Sequence, residues 1–327
     1  MARLAQGLFV SLLLAAGVMA AAAAADFPSK PIRVIVPYAA GGIVDAVARA
    51  VGSQLAETMG QPVIVENRPG GSAIIGMMAC VKAPADGYTL CMPGTDAVSY
   101  NAYLFKNLPY DSASDLIPVI CLALSNSMLA AKASARFNSF KEMIAYAKSN
   151  PGALNWASWG AASLPDVYLQ WIKHQTGVDI AAIAYKGVAP SMQALLAGEA
   201  DVTFMAIGMA LPHIRSGKLK ALAVVGARRS PHLAATPSLV EEGADPGLRS
   251  YFWVFAPART PKAIIDRLNA EFAKAVRTPR IQEFARAQIL DVVGDSAAEF
   301  AEFLKNDRSN AGRVYRTIGV RPADAPS

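Results

Sequence analysis

The chain is poor in the side chains that most often carry catalysis or bind metals. Its only histidines, His174, His213 and His232, stand isolated from one another. No H-E-x-x-H or comparable metal spacing occurs, so neither a zincin nor a structural zinc site is indicated. The G-x-S-x-G elbow of the serine hydrolases is missing as well. The glycines form no G-x-G-x-x-G, and no G-K-[ST] follows any of them, so neither a dinucleotide fingerprint nor a P-loop is supported. Its three cysteines, Cys80, Cys91 and Cys121, fit no C-x-x-C or Cys/His ligand pattern. Cys91 and Cys121 lie in apolar strand-like runs, so buried free thiols are expected for at least two of the three, with one disulfide left open by the export signal described below. There is no internal repeat, no low-complexity linker and no long run of one charge. Without a cluster of Lys and Arg on one element there is no nucleic-acid footprint.

What is present is a globular composition, 53% hydrophobic and 17% charged over 327 residues, enough chain for two lobes. The first 25 residues run from Arg3 through an apolar core, Leu8 to Val18, into an alanine tract that satisfies the A-x-A cleavage rule. This reads as a secretory signal peptide. The apolar part falls short of the ~20 residues a membrane span needs. No cysteine at the cleavage region suggests a lipid anchor. Cleavage near Ala25 removes one basic residue and leaves 30 Lys and Arg against 25 Asp and Glu. That mild positive bias suits anionic small molecules and equally an ordinary basic surface.

From Asp26 onward, short β-branched runs alternate with helical patterns, which argues for α/β units with mainly parallel sheets. Strands are expected at Ile32 to Val36, Val63 to Glu66, Tyr88 to Met92, Val119 to Leu124, Met128 to Ala131, Leu154 to Ser158, Ile180 to Tyr185, Val202 to Met205, Leu219 to Val225 and Tyr251 to Ala256. The first helix, Ile43 to Met59, puts Val44, Val47, Val51 and Leu55 on one face. Ser139 is expected to cap a helix reaching Lys148, and Ser296 to cap a long C-terminal one. Thr260 is expected to cap a further helix that starts at Pro261, where a missing N–H costs nothing. The lack of a linker is compatible with two lobes between which the chain crosses twice.

Three turns could meet a ligand. In VPYAAGGIVDAVAR, Gly41 and Gly42 lie between a strand end and a helix start, where free N–H groups and the helix dipole favour an anion. A bare structural turn explains the glycines equally well. Asp45 falls in the first helical turn, four residues before Arg49. Dipole compensation and an i,i+4 ion pair, worth ~0.5 kcal/mol, account for it without a ligand, so support of the loop ranks above direct contact. The second turn, SWGAASLPD, also follows a strand and carries small residues; Pro165 suits the first turn of its helix, and Trp156 and Trp159 fit either core or cleft wall. In the third, YKGVAPSMQALLAGEADVTF, Lys186 could meet an anion, although a lysine at a strand end is commonly solvated.

Taken in order, FPSKPIRVIVPYAAGGIVDAVAR, GQPVIVENRPGG, APADGYTL, LPYDSASDLIPV, YKGVAPSMQALLAGEADVTF, VGARRSP and FAPARTPKAIIDRLNAEF resemble the Bug or TctC-type periplasmic solute-binding receptors of tripartite tricarboxylate transporters. The resemblance runs from Phe27 to about Pro322. It implies a two-lobed α/β periplasmic binding protein fold of type II-like form, each lobe a mainly parallel sheet flanked by helices, with a ligand cleft between the lobes. Lobe 1 would comprise 26–122 and 227–327, and lobe 2 123–226. It further implies a periplasmic monomer without catalysis, metal or cofactor, which binds a small organic carboxylate and delivers it to the membrane permease subunits. Carried onto this chain, the first-lobe contacts are Tyr38, Ala39, Ala40, Gly41 and Gly42, with Asp45 in support and Thr95 and Asp96 on the cleft floor. The second-lobe contacts are Trp159, Gly160, Ala161, Ala162 and Ser163, with Tyr185 and Lys186 behind them. Ile43 and Val44 replace a usual Gly-Thr, so a side-chain hydroxyl is missing. Ser72 and Ala73 stand where glycines are common, and Pro165, Asp166 and Val167 replace a usual His-Leu-Ala. The rival expectations are a sensor that feeds a signalling partner, and an enzyme on the same two-lobed fold.

Overall fold

The computed structural model describes residues 27–160 and 163–325; the expected signal peptide, Ala161 and Ala162 lie outside the described residues. Two sheets organise the chain. The first holds β1 (Ile32–Val36), β2 (Val63–Asn67), β3 (Thr89–Cys91), β4 (Leu116–Ser125), β10 (Ser250–Pro257) and β11 (Leu290–Val292) in the order β11-β4-β10-β3-β1-β2. The second holds β5 (Ser127–Lys132), β6 (Asn155–Ser158), β7 (Ala181–Ala184), β8 (Val202–Ala206) and β9 (Leu219–Val224) in the order β7-β6-β8-β5-β9. The chain thus leaves the first sheet after β4 and returns with β10.

The α/β class and two-lobed arrangement agree with expectation, but the sheets are mixed rather than mainly parallel. β1 runs parallel to β2 and β3, and β6 parallel to β7 and β8. The strands at the two crossings run against their neighbours: β10 is antiparallel to β3 and β4, and β5 to β8 and β9. A crossing strand enters its sheet without a right-handed helical crossover, so nothing forces it parallel.

Strand alternation divides the first core. Ile32, Val34 and Val36 face Val47, Val51 and Leu55 of α1 (Ile43–Met59), and Leu268 and Phe272 of α8 (Lys262–Val276) join them. The opposite face turns Ile35, Trp253 and Phe255 toward Phe300 and Leu304 of α10 (Ala297–Thr317). This period-two partition is what a sheet covered on both faces requires. The second of these clusters continues across the crossing into Phe204 of β8 and Tyr168 of α5 (Leu164–Thr176). Each fully buried large side chain there contributes roughly 1.5–3 kcal/mol.

Polar contacts reinforce that seam. The Tyr168 hydroxyl donates to the Leu248 carbonyl at 2.6 Å, and Arg249 donates to the Tyr168 oxygen at 3.3 Å while pairing with Asp245 at 2.7 Å. Asn126 donates to the Ile289 carbonyl at 3.2 Å, and the Ile207 N–H to the Asn126 carbonyl at 2.8 Å.

Two local expectations are corrected. Cys80 on α2 (Ile74–Val81) and Cys91 on β3 form a disulfide, their Cα atoms 5.9 Å apart, so Cys121 is the one free, buried thiol. Packing of α2 onto β1 and β3 brings the two together, a proximity that the apolar run around Cys91 concealed. Thr260 does not cap α8. Its hydroxyl donates to the Pro257 carbonyl at 2.7 Å, and Pro261 occupies the N-cap. Ser296 does cap α10, in a capping box with Glu299, and Ser139 accepts the Glu142 N–H ahead of α4 (Phe140–Ser149). Among the described residues, no helix is long and apolar enough to cross a membrane.

Candidate functional site

β1 ends at Val36, and the chain turns through Tyr38 to Gly42 before α1 begins. Gly41 adopts φ +85°, a left-handed conformation that glycine reaches without a Cβ penalty. Gly42 is the N-cap and offers no side-chain cap. The first-turn N–H groups of a helix have no intrahelical acceptor, so this end is an anion-favouring one.

A closed ring of polar contacts holds the turn. Asp45 Oδ2 accepts the Gly41 N–H at 3.0 Å and the Arg49 Nε at 3.1 Å. Arg49 donates onward to Asn67 Oδ1 at 3.0 Å, and Asn67 Nδ2 donates to the Tyr38 carbonyl at 3.1 Å. Burial pulls the Asp45 carboxyl upward, but the hydrogen bonds from Arg49, Gly41 and Asn67 outweigh it and hold the group below the usual carboxylate range. Asp45 therefore braces the turn from behind, as its position in the first helical turn suggested, and it engages the Gly41 N–H itself. Asn67 is a member of this ring that sequence reasoning missed. Its only signal was a polar residue at the end of an edge strand.

A second turn follows β3. Tyr38 donates its hydroxyl to Asp96 Oδ1, and that oxygen also accepts the Ala97 N–H at 2.9 Å. The Gly94 N–H donates to the Tyr38 oxygen at 2.9 Å; a Cβ on Gly94 would lie 2.6 Å from it, so this close approach requires glycine. Burial raises the pKa of Asp96 against the lowering by these hydrogen bonds, and burial with the neighbouring carboxylate raises that of Tyr38. Asp96 opens a π-helical turn, Asp96–Tyr100. Thr95 is buried and accepts the Tyr251 N–H at 3.2 Å, so its role is to tie this turn to β10.

In the second lobe the turn after β6 is braced in a similar way. The Trp159 N–H donates to Ser163 Oγ at 3.2 Å, that hydroxyl donates to the Gly160 carbonyl at 2.7 Å, and the Gly160 N–H donates to Ser158 Oγ at 3.3 Å. Ser163 is the N-cap of α5 but its side chain makes no cap bond, and Pro165 sits in the first turn. Trp156 is fully buried core, whereas Trp159 is half-buried, edge-on to Phe204 at 6.3 Å, with its indole N–H donating to Ser191 Oγ at 3.3 Å. Ser191 belongs to α6 (Val188–Ala197), whose N-cap Gly187 is again uncapped by any side chain. The Tyr185 N–H donates to the Ser158 carbonyl at 2.9 Å, and Lys186 is exposed.

The structure thus unites Tyr38, Gly41, Gly42, Asp45, Thr95 and Asp96 in one lobe, and Trp159, Gly160, Ser163 and Tyr185 in the other. Helices α1, α5 and α6 start without side-chain caps at the C-terminal ends of parallel strands, where ligands of open α/β sheets bind. A cavity of about 550 Å³ lies elsewhere, between Cys121, Tyr251, Asp295, Glu299 and Phe303, and no expected contact lines it. Among the described residues, no group of three or more His, Cys, Asp or Glu could hold a metal ion.

The family model described as the tripartite tricarboxylate transporter family receptor, TctC, matches residues 47–320. The chain is 32% identical to protein BugT of Bordetella pertussis over 317 residues, 96% of each chain. Among solved structures it is similar to R. palustris Rpa4515 with adipate, at a TM-score of 0.86 and 30% identity, over 91% of this chain and 100% of that one. MatC from Rhodopseudomonas palustris with bound malate gives a TM-score of 0.83 at 27% identity, over 88% of this chain and 100% of the other.

Proposed function

The chain belongs to the tripartite tricarboxylate transporter receptor family, and from that premise we propose that it is an exported, monomeric receptor that grips one small organic carboxylate between its lobes and delivers it to membrane permease subunits. The observation that carries this reading is the pair of braced, uncapped helix starts after β1 and β6, in a chain whose relatives hold adipate and malate. With the Gly41 N–H held by Asp45, the first-lobe grip falls to the N–H groups of Gly42, Ile43 and Val44. Each charge-assisted hydrogen bond to a carboxylate contributes on the order of 1.5–3 kcal/mol. Lobe 2, taken as 123–226, closes with the turn Trp159 to Ser163, and residues 1–25 direct export. The chain holds its ligand without turnover.

A thermal-shift screen of the mature protein against mono- and dicarboxylates tests this most directly. Stabilisation that rises with ligand concentration supports it. A folded, ligand-free preparation that no organic anion stabilises would sink it.

A further inference from the structure

The Asp96 carboxyl is an odd feature for a site that receives a carboxylate. β1 and β3 are hydrogen-bonded neighbours, with Ile35 opposite Cys91, so the turns that leave their C-terminal ends are adjacent, the strands themselves being ~4.8 Å apart. Tyr38 joins the two turns: its backbone starts the turn that leads to α1, and its hydroxyl donates to Asp96. The hydrogen of that hydroxyl is committed to Asp96, and its oxygen already accepts the Gly94 N–H. Tyr38 is therefore not a free donor for an incoming anion.

The donors that engage Asp96 leave acceptor positions of its carboxylate unused. The Tyr38 hydroxyl and the Ala97 N–H both engage Oδ1 and the Asp96 N–H also supports the carboxylate, three donors to a group that offers about four acceptor positions over two oxygens. Asp96 is neither fully buried nor fully exposed, and among the described residues no lysine or arginine forms a salt bridge with it. A partly desolvated carboxylate without a cation is costly, and a ligand that supplies a positive group relieves that cost. A second carboxylate in the same place would add like-charge repulsion at short range.

Resting on the carboxylate-receptor reading above, we propose that Asp96 selects ligands that carry an ammonium group as well as a carboxylate, so that the ligand class is an aminocarboxylate rather than a plain mono- or dicarboxylate. The ligand carboxylate sits at the uncapped start of α1 and its ammonium donates to a remaining acceptor position of Asp96. Tyr38 is a positioning residue that fixes the Asp96 carboxylate relative to the turn. Selectivity in this site is then set by a side chain on the β3 turn, while the anion grip stays with backbone N–H groups on the β1 turn.

The test is calorimetric titration of the mature protein, after unfolding and refolding to strip bound ligand, with pairs that differ by one amino group: glutarate and glutamate, butyrate and 4-aminobutyrate, 3-phenylpropanoate and phenylalanine. In at least one pair the amino member is expected to bind at least tenfold tighter, and Asp96→Asn and Asp96→Ser are expected to erase or invert that ratio. The wild-type ranking stands as a test even where a variant fails to fold. Plain carboxylates that bind as tightly as their amino partners, or a ratio unchanged in both folded variants, would overturn the selectivity while leaving the carboxylate receptor intact. Absence of binding by all six and by a wider panel of organic anions overturns both.

Discussion

Asp45 accepts the Gly41 N–H at 3.0 Å and is itself 5% exposed, so the first-lobe turn is held by a buried carboxylate two residues inside the helix that the turn precedes. Replacing it with alanine leaves the Gly41 N–H and Arg49 without their shared acceptor. Asp45→Ala is expected to cost ~1–2 kcal/mol of stability in urea and to weaken carboxylate binding about fivefold through loss of loop order. Because the folded carboxyl lies below its ordinary value, its contribution is present at neutral pH and is lost as pH falls below about 4. Unchanged affinity and unchanged stability in this variant would remove the bracing role.

Gly208, in the first turn of α7 (Ile207–Arg215), packs on the end of α9 (Pro279–Gln288); a Cβ there would lie 2.3 Å from the Gln288 carbonyl. Backbone meets backbone at this point, and no side-chain rotation relieves the overlap. Gly208→Ala is expected to lose ~1–3 kcal/mol, or to move the two elements apart. Urea unfolding with small-angle scattering of the folded variant distinguishes the two; equal stability and an unchanged radius would contradict the contact.

Most of the fold was legible in the sequence because the signals were local. The helix Ile43–Met59 is bounded by Gly42 and Gly60 and carries its apolar residues at helical spacing, and both ends agree with expectation. β11 was missed because its three residues are made a strand by antiparallel pairing with β4 rather than by their own composition. The disulfide was missed for the same kind of reason, since Cys80 is helical and meets Cys91 only through packing. At the candidate site, the glycines and Asp45 were legible as a turn and its support. Asn67, Gly94 and the junction of Tyr38 with Asp96 were not, because each depends on which strands lie side by side.

The disulfide closes a short segment, with 11 residues of separation between its cysteines. Loop-closure entropy for that length gives about 3 kcal/mol of stabilisation. Cys121 is buried, and burial pushes its thiol well up, so it is inert while the protein is folded. The native protein is expected to label no thiol with a maleimide, the unfolded unreduced protein one, and the unfolded reduced protein three. Reduction is expected to lower the urea midpoint by the corresponding amount. Labelling of two or more thiols in the unfolded unreduced chain would show that Cys80 and Cys91 are not joined.

Asp307, on α10, gives a pH dependence of the opposite sign to that of Asp45. It is 9% exposed, and its Oδ2 has no hydrogen-bond partner among the described residues. Burial raises its carboxyl from the ordinary 3.8 to about 6, against the pull of Ser99 and Arg308. Between those values the folded state holds the proton that the unfolded chain has lost, so stability falls as pH rises through the window. The effect is on the order of 2–3 kcal/mol and is complete above about pH 6. Burial raises Asp295 to about 6 as well, so that group adds a slope of the same sign. Asp307→Asn keeps the shape and removes one of the two carboxyls. It is therefore expected to be more stable than the wild type above pH 6 and to flatten, without abolishing, the decline in stability between about pH 4 and 6, as read from urea midpoints across that range. A decline as steep as in the wild type would mean that Asp307 is ionised in the folded protein throughout.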